Sequence, residues 1–256
     1  MSDLHVVDTG DRDGPVIVWL GSIGSSTAMW DRQVPEFADG YRCVLIDHPG
    51  HGASPPPAGH QTIETLGDGV LTALDRLDIG RAHFVGLSLG AMVSMSVASR
   101  HPDRVDRLAL LCTSAYFGPE YGWPDRAAKV RAEGMSVVAE ATVGRWLTPE
   151  YAVSHPDETT ELVAMVMATN REGYASCCEA IGGMNLRDSV TEITAPTLVV
   201  AGTRDPATPP PHAETITALI AGAVMHTVEA AHLANWERPE PINALLVAHL
   251  GGQQDG

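Results

Sequence analysis

The alternation of short apolar runs with amphipathic segments constrains the fold of this chain more than any other feature. Six runs are mainly apolar and do not alternate apolar with polar residues, which is typical of strands buried on both faces. They are 16–20, 43–46, 82–85, 107–112, 197–201 and 224–228. Between them, residues 63–77 place apolar side chains close to a 3.6-residue period, and residues 90–100 are apolar nearly all round. Unbroken apolar strands alternating with helices predict an α/β fold, with a mostly parallel central sheet flanked by helices on both faces.

One long segment interrupts this alternation. From residue 116 to 189 no strand-like run occurs, and the composition is rich in Ala, Glu, Met and Arg, which favour helices. The pattern predicts a core formed by residues 1–115 and 190–252, a helical cap at 116–189 inserted between core strands, and a disordered tail at 253–256. The alternative is a second, unrelated domain, for which a segment of this length is small.

The charge balance limits the classes of partner. Sixteen Lys and Arg against thirty-two Asp and Glu give a formal net charge of −16, which disfavours nucleic acid and anionic membrane surfaces. The N-terminus lacks the basic and apolar regions of a signal peptide, and no apolar stretch approaches the ~20 residues of a membrane span. We therefore expect a cytoplasmic protein that acts on a small molecule and binds neither nucleic acid nor membrane. The sequence leaves open whether the chain forms a homo-oligomer.

The four cysteines suggest no special chemistry. They form neither a C-x-x-C pair nor a spacing typical of a disulfide framework or a zinc site. Cys43 and Cys112 lie in apolar runs, so we expect both to be small core residues.

The sequence Gly86-Leu-Ser-Leu-Gly90 is the strongest chemical signal in the chain. It follows a predicted strand and opens a predicted helix, which is the setting of a nucleophile elbow. In such an elbow the glycines permit a turn that is too tight for side chains and that presents the serine. Ser88 is therefore the candidate nucleophile. The alternative is a glycine-rich turn that merely begins a helix.

A serine nucleophile needs a base, and the base needs a carboxylate that orients it. In this architecture the three follow the chain order Ser, acid, His. Asp205 follows the fifth predicted strand and His232 follows the sixth, so both are expected at the same carboxyl edge of the sheet as Ser88. We predict a triad of these three residues. The alternative acids are Asp188 and Glu229.

The oxyanion of a tetrahedral intermediate needs two preorganised N–H donors. We expect one from Leu89, the residue after the nucleophile. The second is expected from the Gly- and Ser-rich loop at 21–26, where the Ile23 N–H is the first candidate and the Ser22 N–H the next. The alternative is an ordinary flexible loop. A phosphate-binding role is excluded, because the loop lacks the G-x-x-x-x-G-K-[ST] pattern.

Together these motifs resemble the α/β-hydrolase fold family, and Asp-His-Pro-Gly-His-Gly-Ala-Ser at 47–54 resembles a turn common to its small microbial members. More narrowly, the chain is similar to 3-oxoadipate enol-lactonases of the β-ketoadipate pathway. The resembling stretches extend over nearly the whole chain: 21–24, 28–31, 86–92, 145–149, 174–181, 195–209 and 230–235. The stretches at 145–149 and 174–181 are the most informative, because they lie in the predicted cap and the other motifs are shared by many chemistries.

The resemblance implies a serine hydrolase that opens the lactone ring through an acyl-enzyme, without a metal or organic cofactor, in the degradation of aromatic compounds. Its substrate carries a carboxylate, so a local cation must outweigh the field of an acidic protein. Arg145 is the candidate cation. Trp30 and Trp146 are candidate walls of the pocket, although each fits a core position equally well.

Two other functions remain open at this point. One is a carboxylesterase, with incidental perhydrolase activity, that acts on another substrate. The other is a non-catalytic binding protein of the same fold, a class that usually loses a member of the triad.

Overall fold

A computed structural model describes residues 3–251 and has a seven-stranded sheet at its centre. The strands are β1 Val6–Gly10, β2 Val16–Leu20, β3 Arg42–Ile46, β4 Ala82–Leu87, β5 Val105–Leu111, β6 Thr197–Gly202 and β7 Val224–Val228. Their order across the sheet is β1-β3-β2-β4-β5-β6-β7, and every neighbouring pair is parallel except β1 with β3. The predicted α/β fold with a mostly parallel sheet is confirmed. The tail predicted at 253–256 lies outside the described residues.

The first strand, β1, is absent from the prediction. It pairs antiparallel with β3 at the edge of the sheet, with Val6 opposite Ile46, and all five of its residues are only partly buried or exposed. Its sequence therefore lacks the continuous apolar run of the inner strands. A bidentate ion pair adds to the strand pairing, because Arg42 donates from Nε and Nη2 to the two carboxylate oxygens of Asp8 at 3.0 and 2.9 Å.

Helices cover both faces of the sheet and form the segment between β5 and β6. They are α1 Val34–Phe37, α2 Ile63–Arg76, α3 Leu89–Arg100, α4 Trp123–Glu133, α5 Ala139–Trp146, α6 Pro149–Ser154, α7 Pro156–Ala168, α8 Arg171–Gly183, α9 Pro210–Leu219, α10 Ala234–Glu237 and α11 Pro239–Leu250. Short 3₁₀ helices lie at Thr27–Trp30, Pro102–Arg104, Pro119–Tyr121, Met135–Val137 and Ser189–Glu192. Between residues 3 and 251 no helix is long and apolar enough to cross a membrane.

The helix α3 is buried along most of its length, as its apolar composition predicts. It follows the central strand β4 and packs against its neighbours β2 and β5 as well as against α2. This places the beginning of α3, and the turn before it, at the centre of the carboxyl edge of the sheet.

The residues at 116–189, called the cap segment below, lie over this edge. The structure shows helices α4 to α8 there, and an isolated bridge between Tyr116 and Asn185 joins the two ends of the segment. Away from these two ends, the Leu233 N–H of the core donates to the Trp146 carbonyl of the cap segment at 2.8 Å. The Thr148 hydroxyl donates to Glu237 at 2.5 Å. The cap segment is therefore held against the loop that carries His232.

Candidate active site

Ser88 occupies the turn between β4 and α3 in a backbone conformation that L-residues rarely adopt, with φ 56° and ψ −116°. Such strain persists only where the surrounding structure fixes it. Here the Ser88 N–H donates to the Leu111 carbonyl at 2.9 Å. The Ser88 carbonyl accepts from the Thr113 hydroxyl, also at 2.9 Å. The turn is therefore held against the end of β5, and Ser88 lines a cavity at the carboxyl edge of the sheet.

The two glycines of the turn are required by space. A Cβ on Gly86 would lie 2.5 Å from the Ala91 nitrogen, and a Cβ on Gly90 would overlap the Leu20 carbonyl. Because both obstacles are backbone atoms, a side chain at either position would push α3 away from the sheet. The G-x-S-x-G pattern thus marks a close approach of helix and strand as well as the serine.

His232 and Asp205 form a buried pair beside this cavity. The His232 Nδ1–H donates to Asp205 Oδ2 at 2.7 Å, and the two side chains are 4% and 0% exposed. Since Nδ1 is bonded to the carboxylate, Nε2 is the nitrogen left to accept a proton. His232 and Ser88 line the same cavity. The alternative acids Asp188 and Glu229 are both exposed, and among the described carboxylates His232 pairs with Asp205.

The Asp205 carboxylate is held by several further donors. Oδ2 accepts from the Thr208 hydroxyl at 2.6 Å, and Oδ1 accepts from the N–H groups of Ala207 and Thr208 at 2.7 and 3.1 Å. Burial by itself raises the pKa of Asp205, but the charge and hydrogen bond of His232 and the hydrogen bonds of Thr208 outweigh it and lower the pKa. Asp205 therefore stays ionised and keeps the imidazole in one orientation.

Hydrogen bonds within the loop after β2 fix the direction of one backbone N–H. The Ser22 carbonyl accepts from the Ser25 N–H at 3.1 Å and from the Ser25 hydroxyl at 2.7 Å. In a trans peptide the C=O and the next N–H point in opposite directions, so the Ile23 N–H points away from Ser25. The Ser22 N–H donates to Met29 Sδ at 3.2 Å. This bond leaves the Ile23 N–H as the better of the two expected donors.

The other expected donor, the Leu89 N–H, belongs to the residue that follows Ser88. Leu89 is the first residue of α3, and the first N–H groups of a helix have no acceptor within it. The next one, the Gly90 N–H, donates to the Gly21 carbonyl at 2.9 Å. This hydrogen bond joins the turn that holds Ser88 to the loop after β2. The two expected oxyanion donors therefore lie on segments that are bonded to each other.

His48 is hydrogen-bonded to the loop after β2. Its Nε2–H donates to the Gly21 carbonyl at 3.0 Å. Burial lowers the pKa of His48, so the ring is neutral near pH 7. The sequence of the turn at 47–54 carries no signal that would connect this histidine to the loop after β2.

The cap segment supplies the other wall of the cavity. The lining residues from this segment are Phe117, Trp123, Arg126, Thr142, Arg145 and Trp146. The enclosed space measures about 40 Å³, whereas small-molecule sites typically measure roughly 300–1,000 Å³. The cavity is therefore smaller than a typical small-molecule site.

The structure separates the two tryptophans named from the sequence. Trp146 lines the cavity. Trp30 is fully buried in the core, where its ring packs 5.1 Å from that of Trp19, and it is not among the residues around Ser88. The expectation for Trp30 is therefore corrected to a core position, because the 3₁₀ turn that carries it faces β2 rather than the cap segment.

Two arginines face the cavity, one more than the sequence predicted. Arg145 and Arg126 both line it, and across residues 3–251 neither forms an ion pair with a carboxylate. Burial and the positive charge of Arg126 lower the pKa of Arg145. Arg126 donates to the Thr142 hydroxyl at 2.6 Å. Nothing in the sequence distinguishes Arg126 from the other arginines of the cap segment.

The cysteines take no part in this site. All four are free and buried, which agrees with the core positions expected for Cys43 and Cys112. In the part of the chain that the structure describes, no three His, Cys, Asp or Glu side chains are arranged to hold a metal ion.

Comparisons with known proteins agree with this architecture. A sequence model of the α/β hydrolase fold matches residues 15–239. The 3-oxoadipate enol-lactonase 2 of Acinetobacter baylyi is 33% identical over 96% of this chain and 92% of its own length. The crystal structure of the enol-lactonase from Burkholderia xenovorans has a TM-score of 0.94 at 38% identity, and the match covers 97% of this chain and 96% of that one. A thermophilic esterase from Thermogutta terrifontis, solved with malate bound, has a TM-score of 0.91 at 26% identity, covering 97% and 93%. This chain belongs to the α/β hydrolase fold family.

Proposed function

We propose that this protein is a serine hydrolase that opens 3-oxoadipate enol-lactone to 3-oxoadipate in the degradation of aromatic compounds. The observation that carries the proposal is one cavity with two opposite walls. Ser88 and His232 lie on the core wall, and Arg126 and Arg145 lie on the cap wall without a carboxylate partner in residues 3–251. Such a cavity suits a substrate that has a reactive carbonyl at one end and a carboxylate at the other.

The core wall supplies the chemistry. Ser88 Oγ attacks the lactone carbonyl while His232 Nε2 takes its proton, and Asp205 stabilises the imidazolium that forms. The oxyanion accepts from the Ile23 and Leu89 N–H groups. When the tetrahedral intermediate collapses, the ring C–O bond breaks and the imidazolium of His232 gives its proton to the leaving enolate oxygen, so that His232 is neutral again. The enol that results tautomerises to the ketone.

Water completes the cycle. His232 takes a proton from a water molecule that attacks the acyl-enzyme, and Ser88 leaves with that proton as the new carboxylic acid is released. Each step uses a group that the core wall already holds in place, so the proposed reaction requires no cofactor.

The cap wall supports the choice of substrate. Two guanidinium groups in one partly buried cavity repel each other, and a carboxylate between them would relieve the repulsion through charge-assisted hydrogen bonds. They would also counter the field of a protein with a formal net charge of −16. The similarity to the two enol-lactonases agrees with this substrate.

The test is turnover of freshly generated 3-oxoadipate enol-lactone, followed by loss of its ultraviolet absorbance, beside p-nitrophenyl acetate. Fast lactone turnover with slow ester turnover is the expected result. Fast ester and negligible lactone turnover would contradict the lactonase assignment and favour a carboxylesterase. Failure of a fluorophosphonate probe to label Ser88 would favour the non-catalytic binding protein instead.

A further inference from the structure

The hydroxyl of Ser22 is buried next to the reaction centre without a partner. Ser22 is 0% exposed, and its Oγ makes no hydrogen bond to any residue in 3–251. Buried hydroxyls nearly always have a partner, so an unpaired one in a native structure calls for a physical explanation. Ser22 lines the same cavity as Ser88 and His232, so the explanation is to be sought in what the cavity binds.

The remaining polar groups of this residue are already engaged. The Ser22 N–H donates to Met29 Sδ, and the Ser22 carbonyl accepts from Ser25. The preceding carbonyl, that of Gly21, accepts from His48. These bonds fix the backbone before and after the Ser22 side chain. The loop therefore cannot rotate to bring the hydroxyl to another acceptor.

We propose that the Ser22 hydroxyl is a third donor of the oxyanion hole, beside the N–H groups of Ile23 and Leu89. The inference rests on the serine-hydrolase mechanism proposed above and not on the identity of the lactone. In the free enzyme the hydroxyl has no acceptor within the described chain. When Ser88 Oγ adds to a carbonyl, the carbonyl oxygen becomes an anion at the place where Ile23 donates, one residue from Ser22.

The hydroxyl keeps its own proton and forms no covalent bond. Its hydrogen bond strengthens as negative charge develops, so it lowers the free energy of the transition state more than that of the bound substrate. Such an interaction raises kcat and changes KM little. A hydroxyl that only bound the substrate would instead affect KM.

The test is the variant Ser22→Ala, which removes the hydroxyl and leaves no larger side chain. With p-nitrophenyl acetate we expect kcat, normalised to sites titrated with a fluorophosphonate, to fall roughly 100-fold. KM should change less than about twofold. Binding of a phenylboronic acid, which forms a tetrahedral anionic adduct with Ser88, should weaken by a similar factor.

Ser26→Ala is the matched control. It makes the same truncation in the same loop, and Ser26 forms no capping bond with its side chain and lies outside the lining of this cavity. Its kcat and boronate affinity should equal those of the wild type. Thermal unfolding of all three proteins shows whether the fold is retained.

Two results would overturn the inference: wild-type kcat and boronate affinity in Ser22→Ala, or a raised KM with kcat unchanged. If the wild type hydrolyses the acetate but not the lactone, only the substrate assignment fails. The comparison of Ser22→Ala with the wild type on the acetate then still tests the role of the hydroxyl. If the wild type neither reacts with the fluorophosphonate nor hydrolyses the acetate, the serine-hydrolase mechanism and this inference fail together.

Discussion

The core wall and the cap wall of the cavity differ in how completely their charged groups are paired. On the core wall, Asp205 accepts hydrogen bonds from His232, Ala207 and twice from Thr208. On the cap wall, Arg126 has an Nε without a partner among the described residues. The charged groups of the core wall are thus paired before any ligand binds, whereas the cap wall has positive charge that a ligand would balance.

Under the proposed function, this difference assigns the reaction to the core wall and the choice of substrate to the cap wall. Groups that are fixed in advance need no rearrangement when charge develops in the transition state, which is the requirement for catalysis. Groups that lack a partner favour whichever ligand supplies one, which is the requirement for specificity. Variants on the core wall should therefore affect every substrate, and variants on the cap wall should affect only substrates that carry a carboxylate.

The largest effect is expected for Ser88→Ala. Because Ser88 is the proposed nucleophile, kcat should fall at least about a thousandfold on both 3-oxoadipate enol-lactone and p-nitrophenyl acetate. Far-ultraviolet circular dichroism and thermal unfolding should show a folded protein, because the change removes one oxygen atom. A smaller loss would identify another nucleophile and would remove the assignment of chemistry to the core wall.

The next effect is expected for Arg126→Met and Arg145→Met, each of which removes a charge and keeps apolar contact. A hydrogen bond to a charged group contributes about 1.5–3 kcal/mol, so kcat/KM for the lactone should fall roughly 10- to 100-fold in each variant. Turnover of p-nitrophenyl acetate should stay within about twofold, because that ester has no carboxylate.

The control is Arg187→Met, since Arg187 belongs to the cap segment but stacks on Tyr116, 4.1 Å from the ring centre, outside the cavity. Both substrates should be turned over as by the wild type. Equal losses on lactone and acetate in the Arg126 and Arg145 variants would show that the cap wall does not select the substrate.

A smaller effect is expected for Thr208→Val, which removes the hydroxyl bonded to Asp205 and preserves the shape of the side chain. Loss of this hydrogen bond should weaken the hold on His232 and lower kcat about tenfold on both substrates. Thr217→Val is the control, because the Thr217 hydroxyl donates to the Ala213 carbonyl at 2.8 Å within α9. An effect restricted to the lactone would contradict the division between the walls.

The smallest effect concerns stability against acid. His51 is fully buried, and this burial, together with the repulsion of His48, lowers the pKa of His51 to about 3. Because the folded-state pKa lies below the unfolded value, the unfolded chain binds the proton first. The contribution of neutral His51 to folding stability is fully present above pH 6.5, the usual histidine pKa, and is lost as the pH falls from there towards 3.

Denaturant unfolding at pH 8, 7, 6 and 5 measures this contribution. Below pH 6 the slope of unfolding free energy against pH should be smaller in His51→Asn than in the wild type by about one proton, which corresponds to about 1.4 kcal/mol per pH unit. The difference between variant and wild type at pH 8 reports the change in packing together with the loss of the hydrogen bond from His51 Nδ1 to the Pro49 carbonyl. An unchanged slope between pH 6 and 5 would mean that another group carries the titration.

Six of the seven strands, β2 to β7, and the positions of Ser88, Asp205 and His232 could be predicted from the sequence, although β7 is an edge strand and is mostly exposed. Strands buried on both faces must be apolar throughout, so they are visible as continuous runs. Parallel strands bring their carboxyl ends to one edge, so residues just after three such runs are expected to lie close together. The structure places Ser88 and His232 on one cavity, with Asp205 bonded to His232.

Other features depend on contacts between distant parts of the chain, and only the tertiary structure decided them. β1 is an edge strand whose pairing with β3 is not encoded in an apolar run. Trp30 packs on Trp19 and Arg126 faces the cavity, although local sequence favoured neither position. The unpaired Ser22 hydroxyl is visible only when all its neighbours are placed. Periodicity reports how a segment is buried, whereas the partner of an individual polar side chain is set by the packing of elements that lie far apart in sequence.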